Sequence, residues 1–421
     1  MKILVVGGGA REHALVWKLA QSPKVREIYV APGNAGTAQI AQNLDIVSTD
    51  TESLVRVAQE KGVELTVVGP EAPLVSGIAG EFNIRGMQIF APSKLAAEIE
   101  SSKVFAKELM QKYDIPCADS SSFSDYTLAR EYVQKHKLPI VIKADGLAAG
   151  KGVIIARSIP QALEALTCFM ESKRLGSAGD RVVIEEYLSG KEVSSFAFTD
   201  VHTVVPMVSA CDYKRVFDGD RGPNTGGMGS YSPSYVLSQE VDRAIAETIM
   251  TRTVRAMQKE KRHYEGVLYG GLMITNDGPK VLEFNARFGD PEAQVILPRL
   301  KTDLVDIILA ILNKELDRVN IEWNEDACVG VVMVSAGYPD SYKTGFPIRL
   351  DNLDSDILVF HAGTKPGSKS GEILTDGGRV LTVVAMGKTI AEAREKVYNN
   401  VSRIHFDGCY YRKDIAGITE M

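Results

Sequence analysis

Paired cysteines are missing from this chain. The five that occur, Cys117, Cys168, Cys211, Cys328 and Cys409, are odd in number, dozens of residues apart, and never in a CxxC spacing. This excludes a disulfide scaffold and offers no zinc or redox dithiol pattern, so reduced, buried thiols are expected. Excess positive charge is missing too. Lys plus Arg is 48 against 54 for Asp plus Glu, a net charge of −6, the wrong sign for a chain whose main partner is a phosphate backbone. No apolar run approaches the length of a membrane span. The start has one Lys and four apolar residues, Ile3 to Val6, before three glycines, too short for a signal-peptide core. These absences predict a soluble, cytoplasmic protein with neither nucleic acid nor membrane as partner.

What is present is an ordinary globular composition, 45% hydrophobic and 24% charged over 421 residues, enough for two to four domains at roughly 150 residues each. The opening KILVV, GGG and AREHALVWKLAQS reads as strand, glycine turn and helix. EIYVAPG is a second strand, SLVRVAQEKG a second helix, and LTVVGPEAP a third strand. Strands alternating with helices mean a parallel α/β sheet with ligands at the carboxyl ends of its strands. From Lys103 the texture changes. LPIVIKADGLAAGKGVIIA reads as two strands joined by a glycine loop, and RVVIEEYLSGKEVSSFAFTD as two more separated by Ser189-Gly190. This predicts an α+β module of hairpins with helices to one side. A helical stretch, Gln239 to Lys261, precedes a hairpin turning at Asn276-Asp277-Gly278, and strands with a last helix near Ile390 to Ser402 close the chain. The expected division is 1–102, 103–327 and 328–421, with no internal repeat.

Gly7-Gly8-Gly9 follows a strand and opens a helix, the setting in which backbone N–H groups hold a phosphate. A dinucleotide fingerprint fails here, because Glu12 stands where the third glycine belongs and the second strand ends in Ala31-Pro32 without a ribose-binding carboxylate. The turns after the next two strands, around Asn34 to Thr37 and Gly69 to Pro73, are similarly polar, so the three loops either converge on one small ligand or simply turn the chain. KADGLAAGKG, from Lys143 through Gly150, Lys151 and Gly152, suits a flap over phosphates or is an ordinary long hairpin turn, the two lysines in a glycine loop favouring the first. It is no Walker A loop, since Gly152 follows Lys151 and a strand comes next. Glu185, Glu186 and Glu192 surround a possible hinge where main chain meets an adenine edge and a carboxylate meets ribose, or are solvated surface acids. In VLEFNARFGDPE, strand alternation puts Glu283 and Asn285 on one face opposite Phe284, and such oxygen donors suit Mg²⁺, with Arg287 beside them for a phosphoryl group. On spacing alone the same segment fits a half-buried hairpin edge. CDYKRVFDGDRGPNTGGMGSYSP is too rich in Gly, Pro, Asn and Asp for regular structure, yet Asp212, Lys214 and Arg215 could order it around a charged substrate.

The order of these motifs, lysine strand, glycine flap, EEYL hinge and Glu-x-Asn strand, resembles the ATP-grasp superfamily. GGGAREHAL, PGNAGTA, GPEAPL, KADGLAAGKG, DGDRGPNTGGMGSYSP, EFNARFGDPE, HAGT, TDGGRVLTVVAMG and YRKDIA together resemble the phosphoribosylamine-glycine ligase family along essentially the whole chain. The resemblance implies a Rossmann-like N-terminal domain, a central ATP-grasp domain with a mobile subdomain at about 116–190, and a small mixed α/β C-terminal domain. It implies ligation of glycine to 5-phosphoribosylamine with ATP, through glycyl phosphate, by a monomer in purine synthesis. Lys103, Lys143, Gly150, Lys151 and Gly152 would then serve ATP phosphates; Glu185, Glu186 and Leu188 the adenine; and Glu192 the ribose. Glu283 and Asn285 would hold Mg²⁺ or Mn²⁺, while Arg287 with Asn224, Thr225 and Gly226 would steady the transferring group. Gly9, Asn34, Thr37 and Glu71 would take the sugar phosphate. Asp212, with Lys214 and Arg215, would take glycine. Another ATP-grasp carboxylate-amine ligase, or a nucleotide-binding protein without catalysis, are the alternatives.

Overall fold

The apolar runs near the N-terminus form a five-stranded parallel sheet in the order Gln42–Asn43, Glu27–Pro32, Lys2–Gly7, Leu65–Val68, Ile89–Phe90. Ile3 to Val6 are all fully buried, as a doubly covered parallel sheet requires. Strand order reverses on either side of Lys2–Gly7, so a crevice opens at its carboxyl end. The three polar loops do meet there. A Cβ on Gly8 would lie 2.7 Å from the Gly33 carbonyl, and one on Gly69 would lie 2.1 Å from Glu12 Oε1. The computed structural model describes residues 1–147 and 152–417.

The central region is built on two separate antiparallel sheets. One runs Ser120–Phe123, Val182–Glu186, Ile140–Ala144, Val153–Ala156. Its buried face, Ile140, Ile142, Ala144, Val182 and Ile184, packs with Ala129, Val133, Ala162 and Leu166 of the helices Tyr126–Lys135 and Ile159–Leu166 into a small core of its own. The other sheet runs Val204–Pro206, Lys191–Asp200, Glu265–Thr275, Gly278–Asn285. The strands on either side of Ser189-Gly190 therefore belong to different sheets and do not form the expected hairpin. The short connection carries the chain from one layer to the other.

A further antiparallel sheet orders Cys211–Asp212, Gly229–Ser232, Ala327–Val334, Arg379–Gly387, Leu358–His361, with Ala393, Val397 and Val401 of the helix Ile390–Val401 in the core beneath it. Its first two strands come from the segment expected to be irregular. That segment also holds a hairpin, Arg215–Phe217 with Arg221–Asn224, so the expectation of irregularity is corrected. Polar and turn residues mask strand alternation there, and the order comes from distant partners. The guanidinium of the fully buried Arg412 bonds Asp220 at 2.9 Å and Asp414 at 2.7 Å, and Gly219 N–H donates to Asp414 Oδ2. All five cysteines are free, but only Cys211 and Cys328 are buried.

Candidate active site

Register on the first central sheet brings opposite charges together. Val141 pairs with Glu185 and Lys143 with Val183, and alternation points Lys143 and Glu185 to the face away from the small core. Glu185 Oε2 lies 3.0 Å from Lys143 Nζ and 3.3 Å from Lys107 Nζ. Glu185 is only 2% exposed, so it is no solvated surface acid. Its Oε1 has no hydrogen-bond partner among the described residues, and a buried carboxylate oxygen left in that state calls for a donor. Lys143 also donates to the Leu282 carbonyl at 2.9 Å, which ties the two central sheets across the cleft. Lys103 donates to the Gly146 carbonyl at 2.9 Å. Burial pulls its ammonium below the usual lysine range, and Lys143 adds to that against the opposing pull of Glu283. Leu188 packs with Ala118 and Met273 in an apolar patch of the kind a flat base can lie against. Glu186 is drawn outward to Lys280 at 3.2 Å. Gly152 accepts from Ala144 N–H at 2.8 Å, while Gly150 and Lys151 lie outside the described residues.

On the second central sheet, Glu192 faces Met273, Ser194 faces Gly271, Gly271 faces Glu283, and Tyr269 faces Asn285. Directly opposed residues share a face, so Glu192, Glu283 and Asn285 stand together while Phe284 is buried behind them, as the alternation in sequence predicts. Gly271 leaves the space that the Glu283 side chain uses, since a Cβ there would come within 3.3 Å of its Cγ. Burial pushes the Glu283 carboxyl up, but Lys214, Lys143, Lys103 and Arg287 outweigh it and hold the group below the usual carboxylate range. A charged carboxylate beside an amide oxygen is a hard donor pair that fits Mg²⁺ or Mn²⁺, and four cations around it fit phosphate oxygens. Lys214 reaches Glu192 at 2.8 Å. Asp212 is pushed up to about 7, first by burial and then by Glu292, Glu192 and Glu283 against Lys214.

Arg287 lies between two carboxylates, 2.9 Å from Glu100 and 3.3 Å from Glu71. Burial raises Glu100 despite Arg287, whereas Arg287 and Arg11 keep Glu71 lowered against its own burial. The other N-terminal candidates have less to offer a ligand. Gly9 N–H donates to Glu12 Oε2 at 2.6 Å, so the carboxylate of Glu12 fills the helix N-terminus expected to hold a phosphate. Asn34 donates to the Gly8 and His361 carbonyls and accepts from Gly36 and Thr37 N–H. Thr37 accepts from Asn34 N–H and donates to Asn43. Both residues staple the loops together. Among the later candidates, Thr225 N–H and Oγ1 donate to the Lys214 carbonyl at 2.7 and 2.9 Å. Asn224 is an exposed strand end, and the Arg215 side chain turns to Gly222 O in its own hairpin at 2.7 Å, away from the Asp212 cluster.

Sequence reasoning missed Lys107, Glu100, Glu292, Asp290 and Arg379. Lys107 is one helical turn from Lys103, and that spacing was the available signal. Glu292, 3% exposed, accepts from Ser194 Oγ at 2.9 Å. Asp290 meets Arg379 at 2.9 Å, a partnership that no local pattern announces.

Known proteins align with this arrangement over 99% of the chain. Residues 1–100 match the phosphoribosylglycinamide synthetase N domain, 101–293 its ATP-grasp (A) domain and 328–417 its C domain. The phosphoribosylamine–glycine ligase of Halalkalibacterium halodurans is 50% identical over 417 residues, covering 99% of this chain and 96% of the relative. The crystal structure of the Thermotoga maritima phosphoribosylamine–glycine ligase superposes with a TM-score of 0.86 at 35% identity, covering 99% of this chain and all of that one. The biotin carboxylase domain of Hydrogenobacter thermophilus 2-oxoglutarate carboxylase, solved with magnesium ADP, shares the fold alone, at 16% identity, a TM-score of 0.76 and coverage of 97% and 91%. The chain therefore belongs to the phosphoribosylglycinamide synthetase family, whose N-terminal, ATP-grasp and C-terminal domains it carries in order.

Proposed function

We propose that this protein joins glycine to 5-phosphoribosylamine at the expense of ATP, giving glycinamide ribonucleotide, ADP and phosphate, a step of purine synthesis. The observation that carries the reading is the match to relatives of that name over 99% of the chain. The side-chain arrangement supports it. A carboxylate is a poor acyl donor, so a glycine oxygen first attacks the γ-phosphorus of ATP and ADP leaves. The amine nitrogen of phosphoribosylamine then attacks the acyl carbon, the bond to the phosphate oxygen breaks, and the nitrogen gives up a proton.

Lys103 and Lys143 bind the phosphates of ATP, with Gly150, Lys151 and Gly152 as the flap. Glu185 accepts from the adenine amine through the oxygen that lacks a partner, with the main chain of Glu186 and the side chain of Leu188 beside the base. Glu192 accepts from ribose hydroxyls. Glu283 and Asn285 hold Mg²⁺ or Mn²⁺, which when bound neutralises phosphate oxygens. Arg287 and Lys214 steady the charge in transfer, and Thr225 and Gly226 set the loop that carries Lys214. Asp212 takes the ammonium of glycine, whose positive charge favours the carboxylate form of Asp212 against the burial that disfavours it. Glu71 and the loops stapled by Asn34 and Thr37 shape the sugar-phosphate pocket, and the taken N–H of Gly9 leaves it a scaffold role.

Domains at 1–102, 103–327 and 328–421, a monomeric state and work in the cytoplasm complete the proposal. Five free thiols support that compartment, and among the described residues no helix is long and apolar enough to cross a membrane. The test is to supply Mg-ATP, glycine and phosphoribosylamine made in place from ribose 5-phosphate and ammonia, and to look by mass for glycinamide ribonucleotide. Product with another acid or amine in a substrate panel, and none with this pair, would overturn the assignment.

A further inference from the structure

The C-terminal segment reaches the site through the side chain of Arg379, the first residue of the strand Arg379–Gly387. Its guanidinium sits between two parts of the chain that arrive from different directions. Nη2 donates to the Asp290 carboxylate at 2.9 Å, and Nη1 donates to the Asp290 main-chain carbonyl at 3.1 Å and to the Gly226 carbonyl. The N–H of Gly226 in turn donates to the hydroxyl of Tyr338 at 2.9 Å. Both polar main-chain atoms of Gly226 are thus held by side chains from beyond residue 328. The fit is tight: a Cβ on Gly226 would lie 3.0 Å from Arg379 Cζ, and Gly227 has a φ of +108° with Pro291 where its Cβ would be.

From Gly226 a short path leads into the site. Gly227 N–H donates to Thr225 Oγ1 at 3.0 Å, and Thr225 bonds the Lys214 carbonyl twice. Lys214 carries its ammonium to Glu192 and into the field around Glu283. On the other arm, Asp290 stands three residues after Arg287, in the turn whose Phe288 carbonyl accepts from both Arg287 and Arg11. A planar fork with donors on separate nitrogens in fixed directions can hold these three acceptors at set positions, whereas the three donors of a lysine ammonium radiate from a single rotating point.

We propose that Arg379, backed by Tyr338, is a positioning residue for the ligation: it sets the glycine loop that carries Lys214 in register with the turn that carries Arg287. The inference rests on the ligase reading above. A cation displaced by about 1 Å from the reacting centre can cost on the order of a hundredfold in rate, while nucleotide affinity, which depends on Lys103, Lys143 and Glu185, stays as it was.

The experiment uses the full chain with Arg379→Lys and Tyr338→Phe. Three quantities are read: the dissociation constant of a non-hydrolysable ATP analogue, kcat together with product formed per ADP released, and amide exchange of the peptide covering 221–229. For Arg379→Lys the expected result is an analogue affinity within about twofold of the parent, a kcat lower by about a hundredfold, less than one product per ADP, and faster exchange in that peptide. Tyr338→Phe removes only a hydroxyl and is expected to show a milder form of the same pattern. Unchanged kcat, coupling and exchange in either folded variant would overturn the proposal. Failure of the parent chain itself to form product would overturn the ligase reading instead, and unchanged exchange at 221–229 would then still refute the clamp.

Discussion

Substituting His13 by Asn should remove a measurable part of the protein's acid sensitivity. His13, on the helix Ala10–Leu19, and His361, on the strand Leu358–His361, meet where the N-terminal loops dock against the C-terminal segment. His13 Nδ1 accepts from the His361 main-chain N–H at 2.9 Å, and the two rings lie 5.6 Å apart between Gly36 and Phe360. Burial, with the charge of His361 in addition, lowers His13 from 6.5 to about 3, and burial lowers His361 from 6.5 to about 4. A depressed histidine contributes stability that is complete above its unfolded value of 6.5 and is lost as pH falls below it, because the unfolded chain takes up the proton first. At 1.36 kcal/mol per unit, each ring should cost about 2 kcal/mol between pH 7 and pH 5. The raised carboxyl of Asp212 acts with the opposite sign, since its burial is relieved as pH falls and it takes up a proton. That contribution cancels when variant and parent are compared. His13→Asn keeps a short acceptor for the His361 N–H and removes one titrating ring. Urea unfolding at pH 7 and pH 5 should show the parent losing about 2 kcal/mol more than the variant, at equal m values. Parallel behaviour of the two proteins across that range would refute the buried, neutral histidine pair.

Three further outcomes are expected from the site. Glu283→Gln should abolish metal-dependent turnover while calorimetry still shows a cooperative thermal transition; loss of that transition would make Glu283 a structural residue. Lys143→Ala should weaken binding of an ATP analogue by about ten- to a hundredfold, the worth of a charge-assisted hydrogen bond, without changing sugar-phosphate affinity, and calorimetric titration giving an unchanged nucleotide constant would sink that role. Arg287→Met should destabilise the fold by about 3–5 kcal/mol because Glu100 is left buried without its partner, and adding Glu100→Gln should recover much of the loss. If urea midpoints show no such recovery, the Arg287–Glu100 pair is not the source of the effect.

Much of the fold was legible in local patterns because those patterns are themselves physical. KILVV, EIYVA and LTVV are apolar runs bounded by turns, and they form neighbouring parallel strands. Alternation over Glu283, Phe284 and Asn285 placed Glu283 and Asn285 opposite the buried Phe284, and the register with Tyr269 and Gly271 follows it, whereas the bulge that sets Val281 against Leu272 has no local signal. What stayed hidden depends on partners far along the chain. Glu185 looks like a surface acid until Lys107 and Lys143 enclose it. Asn34, Thr37 and the N–H of Gly9 look available until His361, Asn43 and Glu12 take up their hydrogen bonds. Asp290 and Arg379 are 89 residues apart, and no periodicity spans that distance. The segment from Cys211 to Pro233 looked irregular because its strands are short and polar, and two of them, Cys211–Asp212 and Gly229–Ser232, extend the sheet whose next strand, Ala327–Val334, lies about a hundred residues further on.

The most direct test of the central claim is ADP release in the presence of Mg-ATP, measured with glycine alone, with phosphoribosylamine alone, and with both. The account predicts sustained release, one ADP per glycinamide ribonucleotide, only when both substrates are present. Sustained release that ignores either substrate, or none at all in a protein that binds the ATP analogue, would contradict it.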